Sequence, residues 1–396
     1  MRRLLCSALI LLASGMAAAE NADVASALTA IREGATESKS DAVLVMQGDQ
    51  VLLEQYQNPD SRLFELMSVT KSVVALAIGA LVTDGLIQSL DMPVAELYPE
   101  WKQGRKAKIT VRMLMNHTSG LQDLPNTSIE IYPSPNFVQL ALAAELSSDP
   151  GAEFFYSNKA MNLLAGVVEK ASGQRMDVYV KERLFNAMDI EPGPWTKDQA
   201  GNPHSMAGLP LSARDLAKIG RLVLDRGRWG AQDLIAPSFV DEMLAASPKL
   251  DRYGLLWWRV PESQHYRVDA ESFQMLKDAG VDADSISVLR PLDGREFDGS
   301  SALYQAVLAA LGQDGEARWQ SAFAAKGVRM SKVFHLNVGP IVAYEGNGYL
   351  GQYLVIVPKA DLIAVRQIAS RDDYQPSMGY EDFHDRVLVL ARALAK

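Results

Sequence analysis

The chain has 396 residues, 48% of them hydrophobic and 22% charged, and a formal net charge of −9. That is ordinary soluble-globular composition, and the length can bury a large core without disulfide staples. The acidic, evenly mixed charge argues against nucleic acid or an anionic membrane as a main partner.

Arg2 and Arg3 precede an apolar run from Leu4 to Met16, and Ala17, Ala18 and Ala19 follow before Glu20. A basic start, a short apolar core and a small-residue site form the pattern of a secretory signal peptide over residues 1–19. The run falls short of the roughly 20 residues a spanning helix needs, so no stable membrane insertion is expected after cleavage. The mature chain is expected in the periplasm or outside the cell. The single cysteine, Cys6, lies in this segment. Cleavage would leave no disulfide, catalytic thiol or thiolate metal site.

Val24 to Ile31 reads as the apolar face of a first helix. Ala42 to Met46 and Val51 to Gln55 read as strands joined at Gly48-Asp49-Gln50, a hairpin. From Ser68, the apolar positions Val69, Val73, Val74, Ala77, Ile78 and Leu81 predict a long helix ending near Gly85. Residues 86–200 look mainly helical, with loops at Pro133–Pro135 and Asp149–Gly151. Strand-like runs return at Phe334 to Val338, Gln352 to Val357 and Leu362 to Ile368, and Tyr380 to Leu394 reads as an amphipathic closing helix. Strands at both ends with helices between predict an α+β protein, a sheet interrupted by a helical insertion. The sheet part is expected over about 20–75 and 200–396 and the helical part over about 76–200. The Asp-, Ala- and Gly-rich stretch at about 261–332 is a further insertion, either a lid or surface decoration.

Within this frame, Ser68-Val69-Thr70-Lys71 places a lysine one helical turn after a serine, on the same face. A serine hydroxyl is a weak nucleophile until a base takes its proton, and a lysine against an apolar helix gives up its own proton more readily. Taken alone, the pair reads more readily as a capping serine and a surface lysine. Tyr156-Ser157-Asn158, on a loop before a helix, adds a phenol that can act as general base and an amide that can hold a substrate carbonyl or the lysine. Alone, Tyr156 would be an ordinary packed loop aromatic. Tyr56-Gln57-Asn58 has the same spacing, but it directly follows a strand and precedes the serine, so it is set aside. The five histidines show no metal-ligand spacing, and neither a metal nor another cofactor is expected.

These motifs, with Ile109 to Leu121 (containing His117-Thr118-Ser119-Gly120), Tyr156 to Gly173, Leu211 to Gly227 and Tyr253-Gly254-Leu255-Leu256-Trp257-Trp258, resemble the class C-like branch of the serine β-lactamase and penicillin-binding protein superfamily, which includes esterases and aminohydrolases. The resemblance implies a β-lactamase/DD-peptidase-like fold: an antiparallel sheet flanked by helices, with an inserted mainly helical domain. It implies Ser68 as nucleophile, Lys71 and Tyr156 as a coupled acid–base pair and Asn158 as substrate-orienting, with His117 structural. It also places Gly348 where backbone approaches the substrate, and Tyr349, with the Ser68 N–H, at an oxyanion hole.

The sequence departs from the family where β-lactamases and peptidases carry a Lys-Thr-Gly-like motif. Around Glu345-Gly346-Asn347-Gly348 there is no cation for a substrate carboxylate; Arg366 or the inserted segment remains a possible source. The expected activity is therefore hydrolysis of a small-molecule or peptide-like ester or amide. A β-lactamase or D-Ala-D-Ala carboxypeptidase, or a non-catalytic protein of the same fold, are the alternatives. Oligomeric state is not legible.

Overall fold

The computed structural model describes residues 22–58, 62–124, 126–328 and 334–395. The signal-peptide expectation lies outside the described residues. The chain divides into two compact units, one formed by residues up to Val260 and from Ala343 onward, the other by Pro261–Val342.

In the first unit, helix α1 (22–37) leads into the hairpin β1 (Ala42–Gln47) and β2 (Gln50–Tyr56), with Gly48 at positive φ in the turn. The helices that carry or brace the motifs are α2 (Thr70–Thr83), α3 (Val111–Met115), α4 (Phe137–Ala143), α5 (Asn158–Ser172), α6 (Ala213–Leu224) and α7 (Pro237–Leu244). Strand β3 (Trp258–Pro261) closes this part of the chain.

The second unit holds β4 (Gln264–Arg267), α8 (Ala270–Asp278), α9 (Ala283–Val288), β5 (Glu296–Asp298), α10 (Gly299–Leu311), α11 (Gly315–Ala322) and β6 (His335–Val338). The chain then returns through β7 (Ile341–Gly348), β8 (Gln352–Val357), β9 (Leu362–Gln367) and α12 (Phe383–Leu394).

The main sheet has the order β2-β1-β9-β8-β7-β3, with antiparallel pairing from β2 through β7. Every residue of β8 and β9 is buried, so these β-branched and apolar runs are covered on both faces. Helix α2 is apolar nearly all round, and its residues from Thr70 to Leu81 are all buried, as expected of a helix in the middle of a core. Between residues 86 and 157 the structure is less helical than the sequence reading has it: short helical turns alternate with loops. Segments this short are held by packing and capping, not by helix propensity.

The second unit corrects the strand assignment at Phe334 to Val338. That run pairs with Gln264–Arg267, not with the main sheet, in the three-stranded order β6-β4-β5. Tyr266, Phe297 and Leu336 stand side by side in this sheet, packed with Phe273, Leu276, Leu303, Val307, Trp319 and Phe323 in a core of its own. The insertion thus extends to Val342 and is part strand.

The most tightly held cation of the first unit is Arg366 on β9, with 0% exposure. Its Nε donates to Ser40 Oγ (2.8 Å), Nη1 to the carbonyls of Leu350 (2.8 Å) and Gly351 (2.7 Å), and Nη2 to those of Ser38 (3.2 Å) and Met378 (2.5 Å). All five guanidinium donors are thereby used. Burial pushes its pKa down to about 10, opposed by Tyr353, Tyr374, Asp41 and Tyr380. Replacing Arg366 by Met should cost about 3–5 kcal/mol, because buried carbonyls lose their donor together with the charge. Thermal unfolding monitored by circular dichroism checks this; a loss under about 1 kcal/mol would remove Arg366 as a structural clamp.

Candidate active site

Ser68 sits in a single 3-10 turn, Met67–Val69, just ahead of α2. Met67 takes φ 48°, a left-handed conformation that costs a non-glycine residue about 1–2 kcal/mol. Such strain persists only where the surroundings impose it. The serine does not cap the helix: the N-cap is Val69, and no side chain bonds the first turn.

Lys71 lies one turn on and is 2% exposed. Its Nζ donates to Ser68 Oγ and to the carbonyl of Met206, both at 2.9 Å. The ring of Tyr156 lies over the same nitrogen, 4.9 Å from centroid to Nζ. Burial holds the Lys71 ammonium below its ordinary pKa, while Tyr156 and Asp123 pull it back up. These are the two opposing influences that set a lysine up to exchange protons. The readings of Ser68 and Lys71 as a cap and a surface charge do not survive this geometry.

Tyr156 is held by His117. The His117 carbonyl accepts from the N–H of Phe155 (2.8 Å), and its Nδ1 accepts from the N–H of Ser157 (3.2 Å). Nδ1 is therefore unprotonated and the proton sits on Nε2, which faces the Tyr253 hydroxyl at 3.1 Å. The His117 ring lies 4.4 Å from that of Tyr156, and Trp258 stacks at 6.4 Å on Tyr156 at 15°. The structure thus places His117 behind the tyrosine as a brace. Burial first, then Lys71, pushes the His117 pKa well below 6.5.

Asn158 opens α5, whose N-cap, Ser157, accepts from the Ala160 N–H. The Asn158 side chain is half-buried. Gly346 and Gly348 bring β7 against the turn that carries Ser68. A Cβ at Gly346 would lie 2.9 Å from Ser72 Oγ and from Val69 Cγ1, and one at Gly348 would lie 2.7 Å from the Leu66 carbonyl oxygen. Only glycine permits that approach. Tyr349 follows at the turn, 71% exposed. Ser68, Lys71, Tyr156, Asn158, Gly348 and Tyr349 all fall in the first unit.

The place of Arg366 as a source of a carboxylate-binding cation is also decided. Arg366 spends its donors on carbonyls and one hydroxyl, so it is not offered to a ligand. Glu345 alternates with Gly346 and Gly348 and so faces away from α2. It receives Asn347 Nδ2 at 3.3 Å and lies 3.8 Å from His384 Nδ1. Burial pushes its carboxyl pKa up, against the pull of His384.

Three contacting groups escaped the sequence reading. Met206 supplies a carbonyl, which no residue identity signals. Tyr253 was visible only as part of a longer fold segment. Asp123 accepts from Ser157 Oγ (3.1 Å) and the Lys159 N–H (2.9 Å); its position five residues after Thr118 was the available clue. Among the described residues, no three His, Cys, Asp or Glu side chains converge as a metal site would need.

Two buried neutral histidines set a pH dependence. His204, packed 3.8 Å from the Phe137 ring, has its pKa pushed down to about 4 by burial. For both His117 and His204 the folded pKa lies below the unfolded one, so the unfolded chain gains protons that the fold refuses. Stability is fully present above pH 6.5 and is lost as pH falls, for His204 until about 4. Each contributes a slope of up to about 1.4 kcal/mol per pH unit in that range. Urea unfolding from pH 7.5 to 4.5 should show the decline, and His204→Gln should make it shallower. An unchanged slope in that variant would contradict the burial of a neutral ring.

A second prediction concerns the strand. Gly348→Ala should lower the rate at which Ser68 reacts with a fluorophosphonate by about tenfold or more, since small displacements of reacting groups are costly. Mass spectrometry reads the adduct, and wild-type rates would show that β7 need not approach so closely.

The chain is 27% identical over 249 residues to the 6-aminohexanoate-dimer hydrolase of Paenarthrobacter ureafaciens, covering 57% of this chain and 62% of that one. It is 34% identical over 139 residues to esterase EstB of Burkholderia gladioli, covering 29% and 34%. The matches thus span less than two thirds of either relative. Among solved structures, a penicillin binding protein from Bacillus halodurans superposes with a TM-score of 0.57 at 17% identity, over 90% of this chain and 98% of that one, which speaks for the fold. The Beta-lactamase family model matches residues 28–383, and with nearly the whole described chain inside that match, the protein belongs to the Beta-lactamase family.

Proposed function

We propose that this protein is an exported serine hydrolase that forms an acyl-enzyme on Ser68 and acts on uncharged esters or amides. The observation that carries the reading is the buried Lys71 amine, 2.9 Å from Ser68 Oγ and under the Tyr156 ring. As Ser68 Oγ bonds to the substrate carbonyl carbon, its proton passes to the Lys71–Tyr156 pair, and the carbonyl oxygen becomes an oxyanion held by the N–H groups of Ser68 and Tyr349. Collapse expels the alcohol or amine, which takes the proton from the pair. Water then attacks the acyl carbon, again losing a proton to the pair, and Ser68 recovers it.

Substrate preference follows from charge. Arg366 is consumed by the fold, so a substrate carboxylate meets no cation from that position. Exposed Phe155 and Tyr349 flank the catalytic tyrosine and the oxyanion turn, which favours an apolar acyl or alcohol group. The hydrolase and esterase among the relatives support the same class, and the β-lactamase or carboxypeptidase reading stands second. Export rests on the signal-like start alone; N-terminal sequencing of the secreted protein tests it, and an intact Met1 would refute cleavage.

Turnover of p-nitrophenyl butyrate should exceed that of a chromogenic cephalosporin. Ser68→Ala should lower ester turnover by about a thousandfold or more. Unchanged turnover in the variant would remove Ser68 as nucleophile, and fast cephalosporin cleavage would replace the esterase reading by the β-lactamase one.

A further inference from the structure

Asp123 has two different oxygens. Oδ2 accepts from the Ser157 hydroxyl and the Lys159 N–H, which flank Asn158 at the start of α5. Oδ1 is buried with no hydrogen-bond partner among the described residues. A capping aspartate would satisfy itself at the surface; leaving a carboxylate oxygen dry and unpaired costs stability unless a nearby cation compensates. The bonds of Oδ2 to Ser157 and Lys159 set the carboxylate at the turn that carries Tyr156; burial lowers the Lys71 pKa, and Tyr156 and then Asp123 raise it.

The other groups around Lys71 and Tyr156 do not supply a negative charge. His117 is neutral, with its proton on Nε2. The Tyr253 phenol is buried, and burial, then Tyr156, raises its pKa well above the ordinary value. Lys159, next on α5, has its own partner in Glu130. Asp123 is the carboxylate hydrogen-bonded to the turn that carries Tyr156.

We propose that Asp123 is a positioning residue of the acid–base pair: one oxygen fixes the Tyr156–Asn158 turn, and the charge favours the state in which Lys71 and Tyr156 hold the proton taken from Ser68. When the Ser68 O–H bond breaks and the Oγ–carbon bond forms, the pair gains one proton and its net charge rises by one. A fixed negative charge beside it lowers the energy of that state more than of the resting one, which is the requirement for catalysis. This rests on the serine-hydrolase reading given above.

The test is Asp123→Asn, which keeps an acceptor for Ser157 and Lys159 but removes the charge. With p-nitrophenyl butyrate from pH 5 to 9, kcat should fall about tenfold with KM within about twofold, and the acid limb of kcat should move down by about one pH unit, the size of shift one nearby charge produces. The direction follows from sign: without the anion, the proton-loaded pair gives up its proton at lower pH. Asp123→Glu keeps the charge and should hold the acid limb at its wild-type place. Wild-type kcat and acid limb in the Asn variant would reduce Asp123 to a helix cap and overturn the proposal, as would an acid limb in Asp123→Glu displaced as far as in the Asn variant. Should Asp123→Asn not fold, Asp123→Ser, which still offers an acceptor oxygen, carries the same comparison. Fluorophosphonate labelling of wild-type Ser68 runs alongside. If the wild type neither labels nor turns over ester, the serine-hydrolase reading itself fails, and the role of Asp123 falls with it.

Discussion

A lysine ammonium buried in the first turn of an apolar helix imposes conditions on everything around it. Lys71 must find partners for its N–H groups inside the fold, and they are the Ser68 hydroxyl and the Met206 carbonyl, with the Tyr156 ring over the same nitrogen. Each partner is then held from behind. The left-handed Met67 turns Ser68 toward the amine, His117 grips the residues on both sides of Tyr156, and the glycines of β7 close the remaining side. A water-exposed lysine would need none of this and would hold its proton too firmly to exchange it with a serine.

The same chemistry was partly legible in the sequence. Ser68, Lys71, Tyr156 and Asn158 stand in short motifs whose spacing alone says that side chains share a helix face or a loop tip. The buried helix α2 and the strands β8 and β9 announce themselves by unbroken apolar runs. Gly346 and Gly348 could be suspected of a close approach, but what they approach, Val69, Ser72 and the Leu66 carbonyl, is a matter of tertiary packing. Met206 contributes through its backbone, and backbone partners leave no mark in residue identity. Asp123 shares nothing local with Lys71.

Strand partners were harder. Phe334 to Val338 and Gln352 to Val357 have the same β-rich texture, yet the first belongs to the three-stranded sheet of the second unit and the second to the centre of the main sheet. Periodicity identifies a strand; it does not say which edge the strand joins. Arg366 illustrates a related limit. An arginine in a β-strand near a candidate site suggests ligand binding, and only the carbonyls gathered around it reveal a structural cation.

That guanidinium joins pieces far apart in the chain: the end of α1, the turn after β7, and the segment before α12. The turn that carries Tyr349 is thus anchored by a residue from near the start of the described chain and by another, Met378, less than twenty residues from its end. A growing polypeptide cannot complete this anchor until it has been synthesised past Met378. The candidate site would therefore be completed only after that point, so that a partly made chain carries Ser68 and Lys71 without an anchored Tyr349 turn beside them.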